Sequence, residues 1–342
     1  MTDTSPRLSD PAPSGEDLPA DGLLLARVLD GAGGARTVDH SEASAWQPGA
    51  PGEVLWVHLD RTVAGVEAWL RNKTGIAPAT VAVLISNDTR PRAFLEGEAL
   101  VTVLRGINLN PGSEPEDMVA MQIWSDGTRL ISLRRRRLQT PRDIAAQLDA
   151  GRGPCSAGDL LAALLEELVA KMNSSIVGMN GRIDELEMAG DEIDDSVALS
   201  EITSIRRQCL ALQRYMSPQH EAMQQIGRTP PPWLNETNCR DVYETIERLR
   251  RYLDDLNVSK ESAIVLQDDL NNRAQNQSNR TMYMLSIVAA IFLPLSFITG
   301  LLGINVGGMP GVQSSDAFWI TVGALTILLL FQIAVFRKIK WL

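Results

Sequence analysis

The sequence contains few of the residue types that build catalytic or metal-ligating sites. It has 3 cysteines and 3 histidines, and no pair of cysteines has the C-x-x-C spacing of a thiolate zinc site. We therefore interpret Cys155, Cys209 and Cys239 as ordinary buried thiols. Neither a nucleophile motif nor a phosphate-binding loop is present, so the sequence predicts neither an enzyme nor a bound cofactor.

Basic residues are also in the minority. The 32 Lys and Arg residues are outnumbered by 42 Asp and Glu residues, which gives a formal net charge of −10. Because binding to nucleic acid depends largely on basic surface that releases counterions, this balance argues against a nucleic-acid partner. A cation is the more natural ligand.

The N-terminal segment lacks an apolar stretch. Residues 1–20 contain several prolines among Ser and Asp, which is typical of a disordered tail. The segment has no apolar core of the kind that a signal peptide needs.

Two long runs near the C-terminus have no charged residue: Met282–Leu302 and Ala317–Phe336. Each has about the 20 residues that an α-helix needs to cross a hydrocarbon core. The connecting segment, 303–316, is short, so we predict a transmembrane hairpin with an external loop. A buried hairpin of a soluble protein is the less favoured interpretation.

The orientation of the hairpin follows from its basic flanks. Arg273 and Arg280 precede the first run, and the loop between the runs has no basic residue. Three basic residues of the C-terminal tail, 337–342, follow the second run: Arg337, Lys338 and Lys340. By the positive-inside rule, both termini are predicted to be cytoplasmic in a multi-pass protein of the inner (plasma) membrane, with a basic cytoplasmic ring.

Residues 21–150 alternate extended and helical patterns. Strand-like stretches cover 23–29, 53–59, 99–107, 118–124 and 129–135. Helical patterns lie between some of them, at 63–72 and 78–85. The mixture predicts an α/β domain in which helices partly cover a sheet.

Residues 151–240 predict a cytoplasmic helical hairpin with helices over 159–188 and 197–226. Acidic residues concentrate near its tip: Asp184, Glu185, Glu187, Asp191, Glu192, Asp194 and Asp195. Such a charge run is usually a solvated helix end, and the alternative is a surface that concentrates cations. Three prolines, 230–232, end the pattern.

Residues 241–302 lack proline until Pro294 and predict one long helix that includes the first transmembrane span, 282–302. Its segment Gln267–Arg280 is almost entirely polar. This segment either lines a hydrated vestibule or stands in solvent.

Two helices cannot enclose a channel, so a transport function requires several copies around an axis. The first span is the better candidate for the pore lining because one helical stripe combines small residues with apolar constriction points. The stripe continues to Gly303 and contains six span residues: Met282, Leu285, Ala289, Leu293, Ser296 and Gly300. Periodicity alone fits a lipid-facing or packed stripe equally well.

The sequence Gly303-Ile304-Asn305 directly follows the first span. It resembles the Gly-Met-Asn signature of the CorA family of divalent metal ion transporters, and the terminal RKIKWL is similar to the tail of many members. The resemblance implies a CorA-like homopentamer with a cytoplasmic αβα domain, a pore-lining first span and an outer second span. It also implies that Asn305 rings the ion entrance and contacts the metal through hydration water.

Other residues resemble the ZntB-type zinc-transporter branch of that family. Ile304 replaces the signature methionine, the loop that follows is rich in glycine, and the run 87–92 is similar to a segment of that branch. Magnesium-transporting members have acidic residues where this chain has Ala82 and Val83. Asp268 matches the carboxylate that completes their magnesium site, so that site is only half present.

We therefore expect transport of a divalent metal ion as the substrate, and the resemblance favours zinc. A magnesium or cobalt channel and a non-conducting membrane scaffold or metal sensor remain as alternatives. His40, His58 and His220 show no pairing, and the spans contain no Asp, Glu or His. Zinc would thus pass largely hydrated, and an evident proton carrier is missing. The basic run Arg134–Arg137 is interpreted as a solvated strand end, or alternatively as a contact with a neighbouring subunit's acidic hairpin.

Overall fold

The structure is a computed structural model that describes residues 19–50, 52–190, 193–304 and 315–339. The chain divides into two compact units, Met1–Leu266 and Gln267–Leu342. The first contains a sheet with its covering helices and helical arms. The second contains two apolar helical segments.

The described part of the first unit contains one sheet of seven strands: β1 Leu23–Leu29, β2 Ala35–Thr37, β3 Val54–Asp60, β4 Arg92–Glu96, β5 Ala99–Gly106, β6 Val119–Ser125 and β7 Arg129–Arg134. Their spatial order is β2-β1-β3-β7-β6-β5-β4. The central pair β3 and β7 is parallel, with Val57 opposite Ile131. The other neighbouring pairs are antiparallel.

The five predicted strands are present within one or two residues of their predicted bounds. The prediction missed β2 and β4, which form the two edges of the sheet. Both are short, and β4 has no fully buried residue. The alternation of apolar and polar residues that marks a half-buried strand is therefore weak in both.

The described helices are α1 His40–Ala45, α2 Ala64–Lys73, α3 Pro78–Ile85, α4 Thr140–Asp149, α5 Ala157–Ala170, α6 Asn173–Ala189, α7 Asp195–Arg228, α8 Glu236–Leu302 and α9 Ala317–Lys338. Helices α2 and α3 bury Leu70 and Leu84 in the same apolar core as Val57 and Ile131. On the opposite face, a Cβ added to Gly106 of β5 would lie 2.7 Å from Leu168 of α5. Helices therefore cover both faces of the sheet, which explains why every residue of β3 is buried.

The helix predicted over 159–188 is interrupted between α5 and α6. Lys171 forms ion pairs with Asp143 of α4 at 2.5 Å and with Glu167 at 3.5 Å. The main-chain N–H of Met172 donates to the carbonyl of Val169, a tight three-residue turn. The pairing with α4 is a tertiary contact, which the helical period of the sequence could not reveal.

The long helix α8 begins at Glu236, five residues before the predicted Asp241, and has 67 residues. The side chain of Asn235 accepts a hydrogen bond from the N–H of Asn238 at 2.8 Å, as an N-cap residue does. At about 1.5 Å per residue the helix measures about 100 Å. The fold class predicted from the sequence is confirmed: an α/β domain, long helices and two C-terminal apolar helices.

Candidate ion pathway

The predicted pore stripe lies on an exposed face of α8. All six of its span residues are exposed in the single chain, and Met282, Leu285 and Leu293 keep 57%, 65% and 67% of their surface. Ile287, by contrast, is only 9% exposed. One side of the apolar part of α8, which includes Ile287, is therefore covered. The residues of the pore stripe lie outside this covered side.

Main-chain hydrogen bonds continue to the end of the first span. The N–H of Gly303 donates to the carbonyl of Thr299 at 3.0 Å, and that of Ile304 donates to Leu301 at 3.5 Å. A Cβ at position 303 would lie 3.3 Å from the Thr299 carbonyl oxygen, which is tighter than ordinary contact. Glycine therefore suits this helix end, and Ile304 emerges directly from it. Asn305 lies outside the described residues.

Pro294 lies inside the apolar part of α8. Proline has no N–H, so the carbonyl of Ala290 loses its usual main-chain donor one turn earlier. Nearby, the hydroxyl of Thr299 donates to the carbonyl of Leu295 at 3.0 Å. Polar backbone groups and hydroxyls are thus present in a segment with no charged side chain.

The polar segment Gln267–Arg280 is exposed along most of its length. Two side-chain pairs brace it: Asp269 with Arg273 at 2.8 Å, and Gln275 with Asn279 at 3.2 Å. Asp268 is exposed beside the first pair. Within the described ranges, no three His, Cys, Asp or Glu residues are close enough together to hold a metal ion.

Ala82 and Val83 occupy the positions at which magnesium-transporting members are expected to have acidic residues, and both lie on α3. Ala82 is exposed and Val83 is half-buried. Since neither side chain offers an oxygen ligand, α3 cannot supply the carboxylates of a magnesium site at these two positions.

Basic side chains lie at the C-terminal end of the second span. Arg337 and Lys338 are exposed in the last turn of α9, where a positive charge also interacts favourably with the helix dipole. Lys340 lies outside the described residues.

The histidines do not form a zinc site with one another. His58 is buried in the sheet, and its Nδ1 lies 2.9 Å from the hydroxyl of Ser132. Burial and the neighbouring Arg134 lower the pKa of His58 to about 3. Burial also lowers the pKa of His220 on α7. Both rings belong to the first unit, away from the apolar spans in sequence.

Two interpretations of the sequence need correction. The prediction of buried thiols holds for Cys209 but is wrong for Cys155, which is exposed, and Cys239 is only half-buried. The prediction of a solvated strand end is wrong for Arg134, which is 3% exposed and lies 3.9 Å from the equally buried Asp60. The pattern of residues along β7 did not indicate that the side chain of this arginine is buried.

An α/β domain followed by long helices and two apolar helices, each long enough to cross a membrane, has the architecture of a membrane transporter or channel. Residues 51–338 match the family model described as CorA-like Mg²⁺ transporter protein. The chain belongs to this family of divalent cation transporters, and the predicted resemblance to the CorA family is confirmed.

Individual relatives agree with this assignment. The divalent cation transporter CmaX of Pseudomonas aeruginosa is 38% identical over 324 residues, which cover 94% of this chain and 97% of that protein. The zinc transport protein ZntB of Pectobacterium atrosepticum is 32% identical over 333 residues, which cover 96% and 99%. The solved structure of the full-length CmaX protein superposes with a TM-score of 0.83 at 36% identity, covering 96% of this chain and 100% of that one.

Proposed function

We propose that this chain transports zinc across the cell inner membrane as a homopentamer whose pore is lined by the first apolar segment of α8. Both termini lie in the cytoplasm, and Arg337, Lys338 and Lys340 form a basic ring at the cytoplasmic side. Relatives named as zinc transport proteins, which match this chain over nearly its whole length, support the choice of zinc.

The observation that carries the proposal is the exposed stripe on α8. A helix with one covered side and an exposed stripe of Met, Leu, Ala, Ser and Gly residues has a surface that copies of the same chain can bury against each other around an axis. A constriction of Met and Leu side chains can gate by dewetting without a charged group. Such a pore suits an ion that keeps most of its hydration water.

The proposed entrance begins where α8 ends. Gly303 closes the helix, Ile304 follows it, and Asn305 is the next residue in the sequence. Several copies of Asn305 would present amide oxygens to the water shell of a divalent ion at the mouth of the pore. Direct His or Cys ligation is not required for this mode of selection.

A magnesium or cobalt channel is the second candidate, because the family description names magnesium. The side chains of Ala82 and Val83 argue against a regulatory magnesium site at this part of α3, because they offer no oxygen ligand. A membrane-anchored scaffold or metal sensor is the candidate without conduction.

The test is flux into liposomes that contain the purified full chain and an ion-sensitive dye. We expect zinc to enter faster than magnesium or cobalt when each is presented at the same concentration. Faster entry of magnesium would favour the second candidate. No flux of any divalent ion, in liposomes where crosslinking shows the oligomer, would overturn a transport function.

A further inference from the structure

An exposed ridge runs along one side of helix α7. Its four members follow one another at intervals of four, three and four residues, so they share one face of the helix: Thr203, Arg207, Leu210 and Arg214. We call this set the α7 ridge. Ile205, Cys209 and Leu212 are buried on the packed side of α7. With 3.6 residues per turn, the ridge points away from that side.

A second exposed ridge runs along the part of α8 that belongs to the first compact unit. It has the same intervals of four, three and four residues, and we call it the α8 ridge: Asp254, Val258, Glu261 and Val265. Leu256, Ser259 and Ala263 are buried, and helical geometry places them on the opposite side of α8. The α8 ridge ends well before Met282, where the pore stripe begins.

Each ridge alternates charged with apolar or uncharged side chains. Leu210 is 55% exposed and Val258 is 65% exposed. A single exposed apolar side chain needs no explanation. Intervals of four and three residues, however, are those of the seam at which two helices pack in a coiled coil. The two ridges therefore have the spacing of helix-packing surfaces.

The charged members of the ridges have few partners within the chain. In the described ranges, the side chains of Arg207 and Glu261 form neither an ion pair nor a hydrogen bond. Arg214 lies 5.5 Å from the ring centroid of Tyr215, and Asp254 lies 3.9 Å from the exposed Arg250. Exposed contacts of this kind are weak, so these charges can pair with another surface.

The two ridges are complementary when their helices run in opposite directions. Four pairs then face each other: Thr203 with Val265, Arg207 with Glu261, Leu210 with Val258, and Arg214 with Asp254. Both arginines meet a carboxylate, and leucine meets valine. A parallel alignment would instead place Leu210 opposite Glu261 and both arginines opposite valines. The sequence of the ridges thus selects the antiparallel register.

The ridges of one chain cannot meet each other. Helices α7 and α8 are joined by the short segment 229–235, and Gln213 Nε2 donates to Asn257 Oδ1 at 2.8 Å where they pack. The helices are therefore antiparallel neighbours, and both ridges point away from their packed sides. Rotation about an axis along the helices preserves these directions, so α7 of one copy also runs antiparallel to α8 of the next. A contact between two different surfaces can close into a ring.

We propose that the α7 ridge of one copy docks on the α8 ridge of the next copy. This inference rests on the homo-oligomer of the proposed function, and it adds a surface and a register through which neighbouring copies meet outside the apolar spans. The partner is a second copy of this chain because the two ridges match in spacing, charge and direction.

Disulfide crosslinking tests the contact. Leu210→Cys/Val258→Cys places one cysteine on each ridge, in a full chain in which Cys155 and Cys239 are replaced by serine. Every copy then offers a thiol to both neighbours. Mild oxidation in detergent should therefore produce a ladder of linked copies on a non-reducing gel. The two single-cysteine variants should produce no ladder.

The register is tested with Leu210→Cys/Val265→Cys. This variant moves the second cysteine about 10 Å along α8, which is seven residues at about 1.5 Å each. We expect its crosslinking rate to be at least fivefold lower than that of the Val258→Cys pair. Equal rates would contradict the proposed register.

The charge pairing is tested by reversal in the chain that carries Leu210→Cys/Val258→Cys. Arg207→Glu and Glu261→Arg should each slow the crosslink at least fivefold, and the two together should restore the rate to within twofold, because the exchanged charges attract again. The matched control is Arg71→Glu on α2, an exposed arginine that pairs with Glu67 at 2.8 Å. It should leave the rate within twofold. A combined variant as slow as the single reversals would contradict the pairing.

Gel filtration and an amine-reactive crosslinker report the oligomer of the parent chain independently of the ridges, and circular dichroism establishes that each variant is folded. An oligomeric parent whose Leu210→Cys/Val258→Cys variant gives no ladder would overturn the docking proposal and leave the proposed pore in place. A monomeric parent would overturn both.

Discussion

Trp233 packs against Gly127 so closely that a Cβ at position 127 would lie 2.6 Å from Trp233 Cγ. Gly127 has φ of 89° in the turn between β6 and β7. The indole Nε1 of Trp233 donates to the carbonyl of Glu98 at 3.0 Å, in the turn between β4 and β5. The segment that follows the three prolines is thereby fixed to two turns of the sheet before α8 begins.

Gly127→Ala is expected to lower the free energy of unfolding by about 3 kcal/mol, from a left-handed backbone cost of about 1 kcal/mol and overpacking of about 2 kcal/mol. The control is Gly97→Ala, where φ is 62° and nothing lies within 4 Å of the added Cβ. It carries only the backbone cost, about 1 kcal/mol. Denaturant unfolding of the purified chain measures both variants, and equal losses would contradict a close Trp233 contact.

His58 should make stability depend on pH. Its pKa is about 3 in the folded chain, whereas the ordinary pKa of a histidine in an unfolded chain is 6.5. Between these two pH values the unfolded chain binds the proton and the folded chain does not. Stability therefore falls as pH falls from 6.5 towards 3, by up to about 1.4 kcal/mol per pH unit.

Comparison with His58→Gln isolates this contribution. Between pH 7.5 and pH 5 the parent should lose about 2 kcal/mol more than the variant. Unfolding curves of both proteins at the two pH values provide the measurement, and parallel losses would show that His58 is protonated in the folded chain.

Membrane orientation is tested by cysteine labelling in a background in which Cys155 and Cys239 are replaced by serine. We expect a membrane-impermeant maleimide to label Ser314→Cys from outside intact cells and to leave Ser5→Cys unlabelled, because the basic flanks keep both termini inside. Detergent permeabilisation should expose the second site. Labelling of both sites in intact cells would exclude the proposed topology.

Asn305→Ala should reduce selective divalent uptake at least tenfold and leave the oligomer assembled, since an entrance amide contacts the ion and does not pack a core. Asn305→Gln retains the amide and should keep part of the flux. Flux in proteoliposomes and gel filtration report the two properties separately. Unchanged zinc flux and ion preference in the alanine variant would contradict the proposed role of Asn305 at the ion entrance.

Magnesium on the side of the soluble domain should not close the pore. A shared magnesium site needs carboxylates from both partners, and Ala82 and Val83 offer none on α3. Zinc flux should therefore be equal with and without millimolar magnesium on that side, and Asp268→Ala should change nothing. Inhibition from that side only, lost in Asp268→Ala, would favour the magnesium-channel candidate.

Much of the architecture follows from local patterns in the sequence. The lack of proline between Trp233 and Pro294 permits one long helix, and the two uncharged runs fix the positions of the apolar helices. The start of α8 was misplaced by five residues because the prediction did not use Asn235 as its cap. The roles of Asn305 at the ion entrance and of Lys340 in the basic ring remain predictions from the sequence.

The class of the protein can be read from the amino-acid sequence alone. A membrane span requires a long uncharged run, and the signature residues between the two runs are adjacent in the chain. Which distant residues lie close together depends on the tertiary structure. The parallel pairing of β3 with β7 joins segments separated by about 70 residues, and it brings Arg61 to the same cavity as Arg135. Strand pairing depends on which apolar faces pack together in three dimensions, so the local pattern that predicts each strand contains no information about its neighbours.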